Sequence, residues 1–179
     1  VAVATPGEDG QIHLLCSTQH PSEIQHLVAH MLHRRSADVT VEVRRMGGAF
    51  GGKETQAALF AAAAALVADK TGRPAKFRCD RDDDMVMTGK RHAFRVTYDV
   101  GFDAQGHVLA LHLRLASRCG ATVDLSPAIN DRAMFHADNC YWLPDVEILS
   151  ERLKTNTVSD TAFRGFGGPQ GMLAIERVM

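Results

Sequence analysis

Two glycine-rich segments, each placed before a predicted helix, constrain this chain more than any other feature. The first, Arg44–Gln56, reads RRMGGAFGGKETQ, and the second, Thr161–Met172, reads TAFRGFGGPQGM. Glycine lets the backbone turn sharply and brings its N–H groups close to the oxygen atoms of a ligand. Both segments, called here the first and second glycine loops, also contain phenylalanine and a charged residue. Two such loops in one chain predict a flat ligand with polar edges or an elongated cofactor.

The first glycine loop partly matches the phosphate-binding loop of nucleotide-binding proteins. Gly47, Gly52 and Lys53 have its GxxxxGK spacing, but Glu54 stands where the motif needs a hydroxyl group for magnesium. A carboxylate at that position would also repel phosphate groups. Neither loop contains GxGxxG, so the dinucleotide-binding pattern is absent too. The plain structural alternative is a turn with an acidic residue, because Glu54 is predicted to lie in the first turn of a helix.

The rest of the pattern predicts an α+β fold built from mixed α/β layers. Strands are predicted at 11–17, 39–43 and 75–79, helices at 21–34 and 54–69, and a hairpin at 94–116. Beyond Cys119 the chain is predicted to be rich in turns until a final helix begins at Pro169, and Asp80–Asp84 is interpreted as a solvated turn. One domain, 1–179, is predicted, which could divide into sub-lobes 1–90 and 91–179.

Composition argues against several classes of function. The 20 basic and 21 acidic residues nearly cancel and aromatic residues make up 6%, so no nucleic-acid partner is predicted. The longest apolar run, 57–68, is too short to cross a membrane. The four cysteines form no CxxC cluster, so we expect buried free thiols in a cytoplasmic protein. Because the chain lacks an initial Met and ends inside a helical pattern, we expect an excerpt of a longer protein.

Four segments resemble stretches of the molybdenum-binding part of the xanthine dehydrogenase and xanthine oxidase family. They are STQHP at 17–21, GGAFGGKE at 47–54, DRAMFHADNCYWLPD at 131–145 and AFRGFGGPQ at 162–170. The similarity runs in order along essentially the whole chain, and the spacing between Arg132 and Arg164 also agrees. The resemblance implies part of the molybdopterin-binding domain of a molybdenum hydroxylase, which oxidises hypoxanthine and xanthine to uric acid.

The cofactor that this resemblance implies is a molybdenum ion held by a pterin dithiolene, with oxo and sulfido groups. It hydroxylates an electron-poor carbon of a purine with the help of a general base. Electrons would then pass to 2Fe-2S centres and FAD in other domains or subunits, and the complete enzyme is expected to be a homo-oligomer. The family's general-base glutamate belongs to a C-terminal stretch outside these residues, so the isolated fragment is expected to be inactive.

The resemblance assigns cofactor contacts to residues of both loops. Gln19 would donate its amide N–H groups to the molybdenum-bound oxo group, although it could instead only cap the following helix. Arg164 would lie beside the cofactor, so that Gln19, Phe50 and Arg164 would be near the molybdenum. Backbone donors would come from Gly48, Ala49, Phe50 and Gly51. Ala49 replaces the glycine that is usual in the mammalian form.

Glu54 and Arg132 are the two residues that the resemblance connects to catalysis and to substrate. In purine-oxidising members, a glutamate and an arginine at these positions hold the heterocycle from two sides, and Phe166 would stack on it. One alternative is that both are ordinary surface charges. Another is an aldehyde oxidase or a different N-heterocycle hydroxylase of the same family, which generally lacks this charged pair.

Overall fold

The chain contains five α-helices, two short 3-10 helices (Glu8–Gly10 and Ser36–Asp38) and seven strands, and the computed structural model describes all of its residues, 1–179. They divide into two units, Val1–Thr88 and Gly89–Met179, each with its own sheet. The first contains α1 (Pro21–Met31), α2 (Ala57–Thr71), α3 (Arg81–Met87), β1 (Ala2–Pro6), β2 (Ile12–Cys16), β3 (Val39–Glu42) and β4 (Ala75–Phe77). The second contains α4 (Ser126–Phe135), α5 (Gly168–Val178), β5 (Phe94–Phe102), β6 (Val108–Gly120) and β7 (Val146–Lys154). This mixture confirms the predicted α+β class.

The first unit packs α1 and α2 on a four-stranded sheet with the strand order β3-β2-β1-β4. Strand β1 runs antiparallel to β2 and β4, whereas β2 and β3 are parallel. Helix α1 buries Ile24 and Val28, in agreement with its predicted apolar spacing. The fully buried residues of α2 are all alanines, and Phe60 packs at the side of the same core. Small side chains let a helix lie close to a sheet. It ends at Gly72, whose φ of 65° is the left-handed value typical of a helix C-terminus.

The second unit is organised around the central strand β6. Strand β6 pairs antiparallel with β5 and parallel with β7. Leu111, Leu113 and Leu115 alternate along β6 and are buried in one core with Ala133 of α4 and Ile175 of α5. The predicted hairpin 94–116 is confirmed, because β5 and β6 are joined by a tight turn in which Asp103 accepts hydrogen bonds from Gln105 and His107.

Three local predictions are wrong. The stretch after Cys119 contains α4 and β7, although turns were predicted until Pro169. The acidic run Asp80–Asp84 belongs mostly to α3, because the Asp80 carboxylate caps this helix by accepting from the Asp83 N–H group at 2.9 Å. Glu54 lies in the turns that precede α2 and not in its first turn.

Composition led to expectations about the cysteines and about membrane-spanning segments. Cys16 and Cys119 are buried, as expected, whereas Cys140 is exposed, which contradicts the expectation of buried thiols throughout. None of the five helices has the length and apolar composition needed to cross a membrane.

Candidate functional site

The first glycine loop connects β3 to α2 and presents a row of unpaired backbone N–H groups. Gly47, Gly48 and Gly51 have positive φ angles of 67°, 107° and 97°, which glycine adopts without steric cost. Phe50 has a φ of 55°, and its side chain is 62% exposed. The N–H groups of Gly48, Ala49 and Phe50 donate to no protein acceptor, so they are available to a ligand.

Gln19 follows β2, and its side-chain amide is oriented by this loop. The Oε1 atom accepts hydrogen bonds from the N–H groups of Gly51 at 2.9 Å and of Lys53 at 3.3 Å. The Gln19 N–H group donates to the Lys53 carbonyl at 2.9 Å. Because two backbone donors point at Oε1, the exposed Nε2 group faces away from them with both its protons free. The loop and Gln19 therefore offer several neutral donors to one ligand.

The proposed alternative role of Gln19 as a helix cap is not observed. The N-cap residue of α1 is His20, and no side chain makes a capping hydrogen bond there. Helix α1 begins instead with Pro21, which needs no hydrogen bond for its nitrogen. The amide of Gln19 is consequently directed to the glycine loop rather than to the helix.

Lys53 and Glu54 behave differently from the residues of a phosphate-binding loop. The Lys53 ammonium donates to the Met46 carbonyl at 2.7 Å and to the Ser17 hydroxyl at 2.8 Å, so two of its three protons are bound by protein acceptors. The half-buried Glu54 carboxylate makes no hydrogen bond or ion pair, and its backbone N–H group donates to the Gly51 carbonyl at 3.1 Å. Glu54 thus provides a free acceptor within the first glycine loop.

The second glycine loop packs directly on α4 within the second unit. A Cβ atom on Gly167 would lie 2.0 Å from the Ile129 carbonyl oxygen and 3.0 Å from the Ala133 nitrogen, so only glycine fits. This close approach brings the loop beside Arg132, in the last turn of α4. The Arg132 Nε atom lies 4.0 Å from the position that a Cβ atom on Gly168 would occupy. The exposed Arg132 side chain forms no ion pair.

Phe166 and Arg164 are held by a residue that the sequence analysis did not identify. Arg91 donates from Nη2 to the Arg164 carbonyl at 2.6 Å, and its guanidinium carbon lies 4.5 Å from the centroid of the Phe163 ring. The Phe166 N–H group donates to the Phe163 carbonyl at 2.8 Å. Arg91 precedes the loop by more than 70 residues, and no local pattern around it indicates this contact.

The predicted site residues therefore fall into two groups, one in each unit. In the first unit, Gln19 is joined to Gly51 by a hydrogen bond, and Glu54 belongs to the same loop as Gly51. In the second unit, Arg132 lies beside the loop that carries Arg164 and Phe166. No group of three or more His, Cys, Asp or Glu side chains in the structure could hold a metal ion.

The chain thus combines an α+β fold with two phenylalanine-containing glycine loops and a side-chain amide whose N–H groups are free. The chain belongs to the family of molybdopterin cofactor-binding domains, whose model matches residues 1–179. Among curated proteins, it is 49% identical over 178 residues to the xanthine dehydrogenase/oxidase of Felis catus and 43% identical to the xanthine dehydrogenase of Calliphora vicina. Each match covers 99% of this chain but only 13% of the relative.

Solved structures show the same fold. The aldehyde oxidoreductase of Desulfovibrio desulfuricans matches 96% of this chain and 19% of its own, with a TM-score of 0.81 at 24% identity, which establishes similarity of fold alone. The aldehyde oxidoreductase of Desulfovibrio gigas matches 97% of this chain and 19% of its own, with a TM-score of 0.77 at 27% identity. The family model and the curated relatives confirm the resemblance to the xanthine dehydrogenase family.

Proposed function

We propose that the chain forms part of the active site of a molybdenum hydroxylase that oxidises hypoxanthine and xanthine to uric acid. The observation that carries this proposal is the Gln19 amide, whose Oε1 atom is occupied by loop N–H groups while its Nε2 group is free. When bound, the molybdenum–pterin cofactor supplies a two-electron redox centre that transfers oxygen. The identity of 43–49% to xanthine dehydrogenases supports the choice of purines as substrates.

The donors of the first glycine loop fit such a cofactor. Gln19 and the free N–H groups of Gly48, Ala49 and Phe50 are neutral, and neutral donors suit oxygen atoms whose charge changes during a reaction. We infer that these groups hold the oxygen-bearing side of the cofactor, with Phe50 beside it. In the second unit, Arg164 would contribute through its exposed side chain.

Glu54 and Arg132 are proposed to bind the purine and to assist its oxidation. Both side chains lack a protein ion-pair partner, so their charges are available to a substrate. Glu54 would accept a hydrogen bond from a ring N–H group, and Arg132 would stabilise negative charge on a purine oxygen. Phe166 would provide an aromatic face for stacking.

The decisive experiment replaces each charge separately in the complete enzyme. We expect Glu54→Ala and Arg132→Ala each to lower kcat/KM for xanthine by about 10- to 100-fold, because a hydrogen bond to a charged group contributes about 1.5–3 kcal/mol. Glu8→Ala and Arg95→Ala remove exposed charges that form no ion pair and serve as matched controls. Unchanged xanthine kinetics in both site variants would disprove the substrate-binding pair.

A second candidate is an aldehyde oxidase or another N-heterocycle hydroxylase of the same family. It is favoured by the likeness to the aldehyde oxidoreductase of Desulfovibrio gigas at 27% identity. Comparing kcat/KM for xanthine with that for a series of aldehydes separates the two. A preference for aldehydes in the wild-type enzyme would establish the second candidate.

The partners of the complete protein are also part of the proposal. We propose that electrons leave through 2Fe-2S and FAD domains or subunits, and that the complete enzyme is a cytoplasmic homo-oligomer. The chain spans only 13% of the length of the xanthine dehydrogenases it resembles, which leaves room in such proteins for further domains. Metal, iron and flavin analysis of the purified complete enzyme, with its mass in solution, tests this composition.

A further inference from the structure

The side chain of Lys53 connects both ends of the first glycine loop to the residue that follows β2. Its ammonium group donates to the carbonyl of Met46, at the start of the first glycine loop, and to the hydroxyl of Ser17, at the end of β2. The Ser17 hydroxyl donates in turn to the same Met46 carbonyl at 3.0 Å. These three hydrogen bonds close a small ring that ties the beginning of the loop to the residues just before Gln19.

The backbone of Lys53 holds Gln19 from the other side. The Lys53 carbonyl accepts from the Gln19 N–H group at 2.9 Å and from the buried Thr18 hydroxyl at 3.2 Å. The Lys53 N–H group donates to Gln19 Oε1 at 3.3 Å. One residue therefore orients both the main chain and the side-chain amide of Gln19. Movement of Lys53 would turn that amide and change where its Nε2 protons point.

The charge of Lys53 is not neutralised by the protein. No carboxylate lies within 4.0 Å of its ammonium group, and its acceptors are a carbonyl and a hydroxyl group. A half-buried positive charge in a loop with free N–H groups favours a negatively charged or oxygen-rich group at the loop surface.

We propose that Lys53 is a positioning residue, which orients the Gln19 amide and the free N–H groups of the first glycine loop toward the cofactor. This inference rests on the proposed function, because it takes the cofactor as the ligand of the Gln19 amide. The effect passes through Gln19 and the loop, so Lys53 itself touches neither substrate nor reacting atoms.

The test compares Lys53→Met and Lys53→Arg in the complete, molybdenum-loaded enzyme. We expect Lys53→Met to lower kcat per molybdenum by about 10- to 100-fold and to leave KM within about twofold of the wild-type value. Losses of this size are typical of residues that orient a group in direct contact with a metal centre. It should also change the electron paramagnetic resonance spectrum of the partly reduced metal. Lys53→Arg keeps the charge and offers donors for both acceptors, so its kcat should stay within about fivefold of the wild-type value. Lys76→Met, at an exposed lysine of β4, is the control and should change nothing.

Hydrogen exchange of the backbone amides provides a readout that is independent of the substrate. We expect the peptide covering 47–53 to exchange faster in Lys53→Met than in the wild-type or Lys53→Arg enzyme. If Lys53→Met does not fold, Ser17→Ala removes one acceptor of the ammonium group and should show the same spectral and exchange changes in weaker form. If the tested variant shows neither the spectral change nor the faster amide exchange, or if only its KM changes, the proposal is wrong. A wild-type enzyme that contains molybdenum but does not oxidise purines would contradict only the proposed function.

Discussion

Phe50 and Phe166 share an unusual backbone conformation that the sequence did not reveal. Their φ angles are 55° and 46°, in the left-handed region that costs an L-residue about 1–2 kcal/mol. The neighbouring Gly51 and Gly167 also have positive φ. Strain of this kind persists where the surrounding structure determines the backbone, and it is concentrated at ligand sites. Positive φ is not confined to the two glycine loops, because Asp9, His33, Asp124 and Asn139 adopt it as well.

Gln19 allows the sharpest prediction at the scale of one residue. In Gln19→Glu, a carboxylate oxygen can still accept from Gly51 and Lys53, but the second oxygen cannot donate. Because the contacts to the loop are kept, we expect normal stability and molybdenum content. We expect kcat to fall by about 10²- to 10³-fold, as when a preorganised donor is removed.

Steady-state kinetics with xanthine, normalised to molybdenum content, measures this effect. Gln105→Glu introduces the same charge in the exposed hairpin turn and serves as the control. If Gln19→Glu retains wild-type kcat, the Nε2 group of Gln19 is not a functional donor.

Close packing between α4 and α5 determines the position of the second glycine loop at the scale of elements. Gly171 of α5 faces α4, and a Cβ atom on it would lie 2.0 Å from the Ala133 carbonyl oxygen. The buried residues of α5 include Gly168, Gly171 and Ala174, and those of α4 include Ala133. The backbones of the two helices thus approach closely, which keeps Arg132 next to the loop.

Gly171→Ala should therefore destabilise the protein although alanine favours helices. We expect the free energy of unfolding to decrease by about 1–3 kcal/mol, because the added methyl group overlaps a backbone atom. In Gly101→Ala, on β5, the nearest neighbour would lie 4.0 Å away, so this control should have little effect. Denaturant unfolding of both variants measures the difference, and equal stability of Gly171→Ala and the wild type would refute the argument.

His92 links β5 to α4 through a buried hydrogen bond that depends on pH. Its Nε2 atom lies 2.7 Å from the Ser126 hydroxyl, and burial lowers the pKa of the imidazole below its usual 6.5, although Asp160 and Asp124 oppose this shift. As the pH falls through 6.5, unfolded His92 binds a proton before folded His92 does. The unfolded state then holds more protons, so stability falls with decreasing pH.

His92→Gln should reduce this pH dependence, because an amide can still bond to Ser126 but does not titrate. We expect the wild type to lose more unfolding free energy than the variant between about pH 7.5 and about pH 5. Denaturant unfolding at both pH values gives the comparison. Identical losses would show that His92 contributes nothing to the pH dependence.

At the scale of the whole molecule, the chain consists of two units that each carry one glycine loop. Of the predicted site residues, the first unit contains Gln19 and Glu54, and the second contains Arg132, Arg164 and Phe166. Each unit has its own sheet and its own buried cluster of apolar side chains. Each loop is consequently held by the packing of its own unit. A substitution in one loop therefore does not directly change the apolar core of the other unit.

The isolated chain 1–179 is expected not to oxidise xanthine. It spans 13% of the length of its xanthine dehydrogenase relatives, and the resemblance assigns the general base and much of the pterin-binding surface to other residues. Formation of uric acid, followed with an artificial electron acceptor, measures the activity of the purified chain beside that of the complete enzyme. Sustained turnover by the chain alone would contradict this expectation.

Several elements could be predicted from the sequence because their patterns are local. The apolar spacing of α1, the alternation in β5 and β6, and Gly72 at the end of α2 all act within a few residues. Helix α4 was missed because its segment SPAINDRAMF has no apolar stripe, and its packing against α5 compensates for this. Strand β7 was missed because its pairing partner, β6, lies far along the chain.

The two glycine loops show the same division between local pattern and tertiary structure. Their residue types, with Glu54 and Arg132 nearby in the matching segments, were sufficient to indicate the family and to name candidate residues. Only the tertiary structure decided that the Gln19 amide accepts from Gly51 and Lys53, that the Lys53 ammonium group donates to Ser17 and Met46, and that Arg91 donates to the other loop. Glycine spacing encodes where the backbone can turn. Hydrogen bonds between residues about 30 to more than 70 positions apart depend on which strands and helices pack together, and no local spacing records that.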